Sequence, residues 1–403
     1  MSESSAETNA RTGRTHAGSE PNRNKLGTIL IGGDLCPIGV NTHLFSSGDA
    51  DGLFDDLLPH LNDADLVIAG LECPLVNKPT PISKTGPVFG EDSACINVIR
   101  AAGIDVLNLA NNHILDHGAE GLENTLAVCA KAGVSTVGAG PNLATARHIL
   151  VKTVNAIRVG VLAMAEHEFS IATAGTPGAN PFDLMDYVRN VGRNRDSFDY
   201  LIVLLHGGAE FLTAPSPRLK DTCHFLVEMG ANAVIVQHPH SFGGYETYRG
   251  GHIVYGQGAL VMDETIYRDL KSFHEGVLVA LSIAQDGTSS MNLIPFVQSD
   301  PAAGARLMEA RRAEAFLRDL AAKSEAILDD AFVREEWRRF CEANKHAYLS
   351  VLLGHNRLFR RANRDGRLAR LLYNQRRLLG TRNVVCCETH REALETIFTE
   401  GMV

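Results

Sequence analysis

Five apolar segments of the sequence are each followed closely by side chains that can bind a metal ion or transfer a proton. The segments with their polar ends read ILIGGD, LVIAGLE, LNLANNHILD, IVLLHGGAE and VIVQHPH. The polar residues are Asp34, Glu72, Asn111, Asn112, His113, Asp116, His206, Glu210, His238 and His240. Carboxylate and amide oxygens together with imidazole nitrogens suit manganese, iron or zinc, whereas calcium prefers oxygen-only shells. This pattern predicts a site for divalent cations, and one bridging carboxylate could hold two of them around a phosphoryl group.

Each of these residues also has an ordinary structural role. Asp34 or Asn111 alone after a strand is typical of a turn or a helix cap, and a single histidine such as His206 is typical of a hydrogen-bonded core residue. His238 and His240 flank Pro239, so in an extended chain their side chains would share a side. Turns or caps are a poor explanation for all five strand ends at once. In open α/β sheets, ligands bind beyond the carboxyl ends of the strands, which is where these residues lie. We therefore favour a common site.

The elements that must position these residues alternate along the chain. Short apolar runs rich in strand formers are separated by helical segments of roughly ten residues. The predicted strands span 27–33, 64–70, 104–110, 157–165, 200–205 and 232–237, and the predicted helices lie near 53–61, 93–102, 119–132 and 216–229. This alternation predicts a layered α/β domain whose strands are largely buried.

The character of the sequence changes at both ends of the chain. Residues 1–25 are polar and lack the apolar segment of a signal peptide, which predicts a disordered tail. From about residue 300 the sequence is helical in composition. We therefore expect an α/β domain over 26–300 and a helical extension over 301–403.

The extension contains a basic segment. Nine arginines lie between residues 357 and 382, with Asp365 as the single acid. Arg357, Arg360, Arg364 and Arg367 follow helical spacing, so one stripe of a helix would be strongly basic. Such a stripe is either a solvated face or a site for an anionic partner.

The overall composition is that of a soluble protein with a large core. The chain has 403 residues, of which 45% are apolar, and a net charge of −9, which argues against a protein that coats nucleic acid. The eight cysteines show no framework spacing, which is typical of reduced cytoplasmic thiols. No apolar run approaches the ~18 residues of a membrane span. We therefore expect a cytoplasmic protein without a transmembrane anchor and without a specific nucleic-acid partner.

The order Asp34, Glu72, Asn112-His113, His206 and His238-Pro239-His240 resembles a known family. It is similar to the bacterial capsule-synthesis CapA (poly-gamma-glutamate biosynthesis) family, a branch of the calcineurin-like metallophosphoesterases. The resemblance covers Gly27 to Glu264, and its most specific segments are LANNHILDHGAEGLENTL, LHGGAEFLTAPSPRLKDTCHFLVEMGANAVIVQHPH and YETYRGGHIVYGQGALVMDE. It implies an α/β/β/α sandwich with a two-metal site at one edge of its sheets.

The resemblance also implies roles for individual residues. His113 would be the general acid or a phosphate-stabilising donor. Apart from the resemblance, Asp116 is a candidate for the same catalytic group and Glu210 a candidate substrate contact. Lys84 lies in the segment SKTGPVF (83–89), a predicted loop beside the site, and is either a contact for a substrate anion or a solvated loop lysine. The family usually has a histidine where this chain has Cys36, which is then either a thiolate ligand or a buried apolar residue. The implied metal ligands are Asp34, Cys36, Glu72, Asn112, His206, His238 and His240.

The function implied is that of a metal-dependent hydrolase that uses two manganese, iron or zinc ions. It would act on phosphoesters, or less readily on amide bonds of a glutamyl polymer, during synthesis of a capsule or surface polymer. The alternative is a non-catalytic component of a polymer-synthesis complex that keeps the fold. The substrate would be an anionic small molecule or polymer, and partner proteins would bind through the C-terminal helices. The chain lacks a G-x-x-x-x-G-K-[ST] loop, so an ATP-driven ligase acting alone is not expected.

Overall fold

A computed structural model describes residues 27–84, 86–264, 267, 269–353 and 357–372. The predicted tail, 1–25, lies outside these residues. The chain divides into two compact units, Met1–Asp329 and Asp330–Val403. The predicted boundary near residue 300 therefore falls inside the first unit.

The described part of the first unit contains strands throughout its length. In chain order they are β1 (Gly27–Leu35), β2 (Leu66–Leu71), β3 (Leu75–Val76), β4 (Glu91–Asp92), β5 (Val106–Asn108), β6 (Ser135–Val137), β7 (Ala139–Gly140), β8 (Leu150–Val154), β9 (Ile157–Ala165), β10 (Gly178–Ala179), β11 (Tyr200–His206), β12 (Ala233–Gln237), β13 (Tyr245–Tyr248), β14 (Gly251–Val254), β15 (Glu275–Ile283), β16 (Ser289–Gln298) and β17 (Ala305–Leu307).

The α-helices of the described residues occur in both units. They are α1 (Thr42–Ser47), α2 (Ala50–Phe54), α3 (Leu58–Asp63), α4 (Ile96–Ala101), α5 (Gly118–Ala132), α6 (Leu143–Ala146), α7 (Leu184–Arg193), α8 (Pro217–Glu228), α9 (Ala310–Ala326), α10 (Asp330–Leu353), α11 (Arg357–Ala362) and α12 (Arg367–Leu372). None of these helices combines the length and apolar character needed to span a lipid bilayer.

Two large mixed sheets form the centre of the first unit. The first has the order β17-β16-β15-β1-β2-β5-β6, with β1, β2, β5 and β6 parallel and β15 antiparallel to β1. The second has the order β13-β14-β12-β11-β9-β8, with β14, β12, β11 and β9 parallel. Every residue of β2, β11 and β12 is buried, as expected for parallel strands covered on both faces.

Buried amide side chains join the two sheets across the core. Asn108 donates through Nδ2 to Gln237 Oε1 at 2.8 Å, and Gln237 donates through Nε2 to the Gly32 carbonyl at 2.9 Å. Apolar residues of both sheets belong to one core, while α5 contacts β6 on one side and α8 contacts β12 on the other. The architecture is the expected α/β/β/α sandwich. It brings the carboxyl ends of the parallel strands of both sheets together.

The predicted strands correspond to β1, β2, β5, β9, β11 and β12. The third strand is shorter than predicted, because Asn108 Oδ1 accepts a hydrogen bond from the Ala110 amide at 2.8 Å and turns the chain. The sequence prediction missed the antiparallel hairpin of β15 and β16. Its turn contains Asp286 and Gly287, and Gly287 has a φ of 83°, so the Asp-Gly pair was a usable signal.

The first unit extends past residue 300 because the chain beyond that point adds a strand to the first sheet and then a helix that packs against it. The strand β17 pairs with β16, and the helix α9 contacts the same strand. Lys220 on α8 donates to the Ile327 carbonyl at 2.8 Å, just beyond the end of α9. A lysine at this end of a helix is favourable because the carbonyl groups there carry partial negative charge.

Candidate metal centre

The polar residues predicted from the strand ends converge at one edge of the sandwich. Asp34 lies near the end of β1, Glu72 follows β2, and His206 is the last residue of β11. These three side chains are buried, with His206 Nδ1 3.8 Å from Asp34 Oδ1 and His206 Nε2 3.5 Å from Glu72 Oε1. The ends of strands from different sheets therefore supply one common site.

The Glu72 carboxylate lies between two histidines. Its Oε1 faces His206 as above, and its Oε2 lies 3.6 Å from His240 Nε2. Potential donor atoms of Glu72, His238 and His240 all lie within 4.8 Å of one another. A carboxylate placed in this way could bridge two cations.

Several donor atoms of this cluster have no hydrogen-bond partner among the described residues. They are Glu72 Oε2 and the Nδ1 atoms of His206, His238 and His240, all inaccessible to solvent. A buried polar atom without a partner costs about 1–3 kcal/mol. Three imidazole nitrogens and a carboxylate oxygen without hydrogen-bond partners are the kind of donor set that manganese, iron or zinc binds. The residues present therefore fit a divalent cation.

Burial changes the protonation of the carboxyl groups in this cluster. Burial, with the nearby Glu72 charge, raises the pKa of Asp34 to about 7. Burial raises the pKa of Glu72 to about 8, and the charges of Glu210 and Glu264 add to this effect while His113 opposes it. Because burial disfavours the ionised forms of Asp34 and Glu72, a bound cation would strongly stabilise those forms.

The same burial keeps the histidines neutral. It lowers the pKa of His238 to about 4 and that of His240 well below its usual value, and neighbouring imidazoles reinforce both shifts. Neutral imidazole is the form that binds metal ions.

The backbone at His238 and His240 is not extended, so the alternation considered in the sequence analysis does not apply. Both have left-handed backbone conformations, with φ of 91° at His238 and 50° at His240. Such conformations in residues other than glycine cost on the order of 1–3 kcal/mol and are concentrated at functional sites. The turn around Pro239 nevertheless places His240 beside Glu72.

The two adjacent asparagines have different roles. Asn111 donates through Nδ2 to the Leu71 carbonyl at 2.8 Å and accepts from the His113 amide at 3.1 Å, so it holds the turn after β5. Asn112 Oδ1 lies 3.1 Å from His206 Nε2, within the donor cluster. The turn secured by Asn111 therefore presents Asn112 to the candidate metal site.

His113, Asp116 and Lys84 form a buried network beside the donor cluster. His113 Nδ1 lies 2.6 Å from Asp116 Oδ2, and Lys84 Nζ lies 2.5 Å from Asp116 Oδ1. Burial opposes ionisation of Asp116, but the hydrogen bonds from His113 and Lys84 outweigh it and lower the pKa of Asp116. The Lys84 side chain is only 2% exposed, so it is not a solvated loop lysine.

A cavity of about 280 Å³ opens in front of these groups. Predicted substrate-contact residues Lys84 and Glu210 both line it, and Tyr267 donates to Glu210 Oε2 at 3.4 Å. The complete lining is Glu72, Lys84, Gly86, Pro87, Phe89, Asn112, His113, Glu168, Phe169, Glu210, His240, Met262, Glu264 and Tyr267.

The sequence prediction missed several of these residues. Glu168 accepts a hydrogen bond from Asn112 Nδ2 at 2.9 Å, and Phe169 is its neighbour. Both follow β9, so the strand-end pattern used for the other five strands would have found them. Glu264 and Tyr267 follow no predicted strand, and nothing in the local pattern indicated them.

Cys36 lies in the hydrophobic core, fully buried, and outside the Glu72–His238–His240 group. Burial and the hydrogen-bonded Cys73 thiol raise its pKa well above the usual value. The thiol, rather than the thiolate that binds metals, is therefore favoured at this position.

Gly70 leaves the space that the Asp34 carboxylate occupies. A Cβ atom at Gly70 would lie 2.3 Å from Asp34 Oδ1. We expect Gly70→Ala to displace this carboxylate and weaken metal binding roughly 10-fold or more, as shifts of ligand orientation do. Metal titration would measure the change, with Gly192→Ala as the control because its Cβ would have no neighbour within 4 Å. Unchanged affinity in Gly70→Ala would argue against Asp34 as a ligand.

The fold and the site together define an α/β/β/α sandwich with a candidate metal centre at the ends of its parallel strands. The chain belongs to the family described as bacterial capsule synthesis protein PGA_cap, whose sequence profile matches residues 28–264. Relatives include a capsule biosynthesis protein CapA of Bacillus anthracis (28% identity over 67% of this chain and 66% of the relative) and a PGA biosynthesis protein CapA of Bacillus subtilis strain 168 (26%, 61% and 65%). A probable polyglutamine synthesis accessory protein of Mycobacterium tuberculosis is 30% identical over 57% of this chain and 62% of its own length. The chain thus matches less than two thirds of the length of these relatives.

Solved structures show a looser similarity. A hypothetical protein from Thermus thermophilus has a TM-score of 0.42 and 14% identity, over 67% of this chain and 99% of its own. A 5'-nucleotidase from Candida albicans has a TM-score of 0.38 and 11% identity, over 79% of this chain and 58% of its own. Similarity at this level carries no argument about activity.

Proposed function

We propose that the protein is a metal-dependent phosphoester hydrolase that serves the synthesis of a capsule or polyglutamate-type surface polymer. The observation that carries this proposal is the buried cluster around Glu72, in which three imidazole nitrogens and one carboxylate oxygen lack hydrogen-bond partners among the described residues. The polymer context rests on the family and on the names of the capsule and polyglutamine-synthesis relatives.

The charge of the cavity supports a requirement for cations. Its wall contains the carboxyl groups of Glu72, Glu168, Glu210 and Glu264, and among the described residues that line it Lys84 is the one lysine or arginine. Such a wall would repel a phosphoester. Divalent cations would reverse the local charge, supply Lewis acidity toward a phosphoryl oxygen and offset developing negative charge. Phosphate should therefore bind only to the metal-loaded protein.

Particular residues of the chain would hold these cations. Glu72 would bridge them, Asp34 and Asn112 would serve one cation together with His206 and His238, and His240 would serve the other. The division of Asn112, His206 and His238 from His240 is what the resemblance implies, and it leaves either Asp34 or Glu72 as the bridge. The position of Glu72 between His206 and His240 supports Glu72 as the bridge.

His113 would act on the substrate. Its Nδ1 is held by Asp116, so Nε2 is the ring nitrogen left for the substrate, and the imidazolium could give its proton to the leaving oxygen as water attacks phosphorus. Lys84 holds Asp116 from the other side, and the Phe89 ring packs against the imidazole with centroids 4.4 Å apart. These contacts fix the orientation of the His113 ring.

Cys36 favours a second candidate function. Its thiol lies in the core beside Cys73, at a position where the resemblance implies a metal ligand. A centre that lacks this ligand would hold the second cation more weakly. The protein would then keep one cation for stability and act as a non-catalytic component of a polymer-synthesis complex.

Metal analysis tests the centre itself. Purified without chelators, the protein should contain roughly one to two equivalents of manganese, iron or zinc. After chelation, adding one of these ions at about 100 times its Kd should stabilise the protein by about 2.7 kcal/mol, which corresponds to roughly 5 °C in Tm. Calcium serves as the control and should give a smaller shift. No bound metal and no shift with any ion would contradict the proposal.

A panel of phosphoesters separates the two candidates. Two equivalents of metal with metal-dependent hydrolysis of at least one ester would support the hydrolase. One equivalent with no hydrolysis of any ester would support the non-catalytic component.

A further inference from the structure

The last described helices of the second unit carry a dense basic surface. Six arginines lie on α11, α12 and the turn between them, with Asp365 as the single acid, which leaves a charge of +5 over residues 357–372. All six are exposed: Arg357, Arg360, Arg361, Arg364, Arg367 and Arg370. The net charge of the whole chain is −9, so this segment is opposite in sign to the protein that carries it.

Ion pairs between these arginines and other described residues are few. Arg367 Nε pairs with Asp365 Oδ2 at 2.8 Å, and Arg370 donates to the Asp365 carbonyl. For Arg357, Arg360 and Arg364 the structure gives no ion pair with any described residue. Among the described residues, Asp365 therefore offsets only part of the positive charge of this surface.

Exposed leucines lie on the same two helices, Leu358 on α11 and Leu371 on α12. The Leu358 side chain is 74% exposed and that of Leu371 is 78% exposed, the two highest values among large apolar residues in the described part of the chain. If these helices were simply a solvated basic face, exposing two leucine side chains to water would bring no favourable interaction. A surface that combines arginines with apolar side chains is typical of elements that lie at a lipid interface.

We propose that α11 and α12 form a docking surface for an anionic lipid bilayer. The arginines would contact lipid phosphates, and Leu358 and Leu371 would enter the boundary between head groups and acyl chains. Basic residues near an anionic membrane contribute about 1 kcal/mol each, and this contribution is screened by salt. A soluble polyanion such as polyglutamate would account for the arginines but not for the leucines. The inference is independent of the proposed catalysis.

Vesicle sedimentation of the full chain tests the surface. The parent should bind phosphatidylcholine vesicles that contain phosphatidylglycerol, bind pure phosphatidylcholine poorly, and lose binding at high salt. The triple variant Arg357→Gln, Arg360→Gln and Arg364→Gln should bind the anionic vesicles roughly 100-fold more weakly. The matched control Arg311→Gln, Arg318→Gln and Arg334→Gln makes the same charge change at exposed positions of α9 and α10 and should bind as the parent does.

A second variant distinguishes a membrane from a soluble polyanion. Leu358→Ser with Leu371→Ser keeps every charge and should weaken vesicle binding roughly 10-fold, because it removes two apolar side chains from the interface. Polyglutamate is the soluble probe. Binding of the parent to polyglutamate but not to anionic vesicles would overturn the inference, as would equal loss of vesicle binding in the control triple variant or vesicle binding that salt does not weaken.

Discussion

Replacing His113 by alanine should lower kcat toward a phosphoester about 10²–10⁴-fold while the metal content stays at the parent level. The imidazole lines the cavity, and its Nδ1 is hydrogen-bonded to Asp116, so this nitrogen is occupied and the ring is placed toward the substrate space. Its loss therefore removes a proton donor without removing a ligand. Initial rates at saturating metal, together with metal analysis of the same sample, measure both parts of this prediction.

His167→Ala is the matched control for this variant. His167 is an exposed histidine next to Glu168 and is absent from the cavity lining, so its replacement should leave kcat and metal content unchanged. If His113→Ala lost metal to the same degree as activity, His113 would be a ligand and not the substrate-facing group. An unchanged kcat would remove it from the mechanism.

Replacing Glu72 by glutamine should abolish both metal binding and activity. The carboxylate lies between His206 and His240, and a neutral amide cannot bridge two cations in its place. Calorimetric titration with manganese or zinc should show no high-affinity binding. Glu91→Gln is the control, because burial also raises the pKa of Glu91, to about 7, but no histidine contact places it at the site.

The same Glu72→Gln change should stabilise the metal-free protein at pH 8. Burial raises the pKa of Glu72 in the folded protein to about 8, whereas the ordinary pKa of a glutamate, which applies in the unfolded chain, is 4.5. The contribution of this group to stability is therefore fully present below pH 4.5 and is lost as the pH rises through about 8. Glutamine imitates the protonated form, so the gain should be on the order of 2 kcal/mol or more at pH 8 and vanish near pH 4. Thermal unfolding in chelator at both pH values would measure it, and equal Tm shifts at the two would contradict this account.

The parallel core of the fold could be predicted because its strands are continuous apolar runs. Because β11 and β12 are buried on both faces, each is a continuous apolar run that can be recognised in the sequence. The polar residue that follows each run marks the end of the strand. The antiparallel strands β15 and β16 alternate in burial over only part of their length, so they lack the continuous apolar run of β11 and β12. No candidate site residue follows either strand. The helical composition after residue 300 was recognised, but composition cannot show which helix packs on the preceding sheet.

The residue types of the candidate site could be predicted from the sequence, but the backbone conformations that position them could not. Strand ends indicated Asp34, Glu72 and His206 because parallel strands of one sandwich end at a common edge. The left-handed conformations of His238 and His240 depend on tertiary contacts that no local pattern records. The loop that carries Lys84 was expected near the site, but only the structure shows that its ammonium group is bound by Asp116.

The pairing of β15 with β1 gives the protein a folding unit longer than its family match. The match ends at residue 264, but β15 forms a ladder with the strand that carries Asp34, from Gly27 opposite Ile283 to Ile31 opposite Val279. A fragment limited to the matched residues would leave that side of β1 as an open edge with unpaired amide and carbonyl groups, which is a template for aggregation. Shortened versions of this protein, and comparisons of its relatives, should therefore treat the segment from β15 to α9 as part of the domain that holds the candidate metal centre.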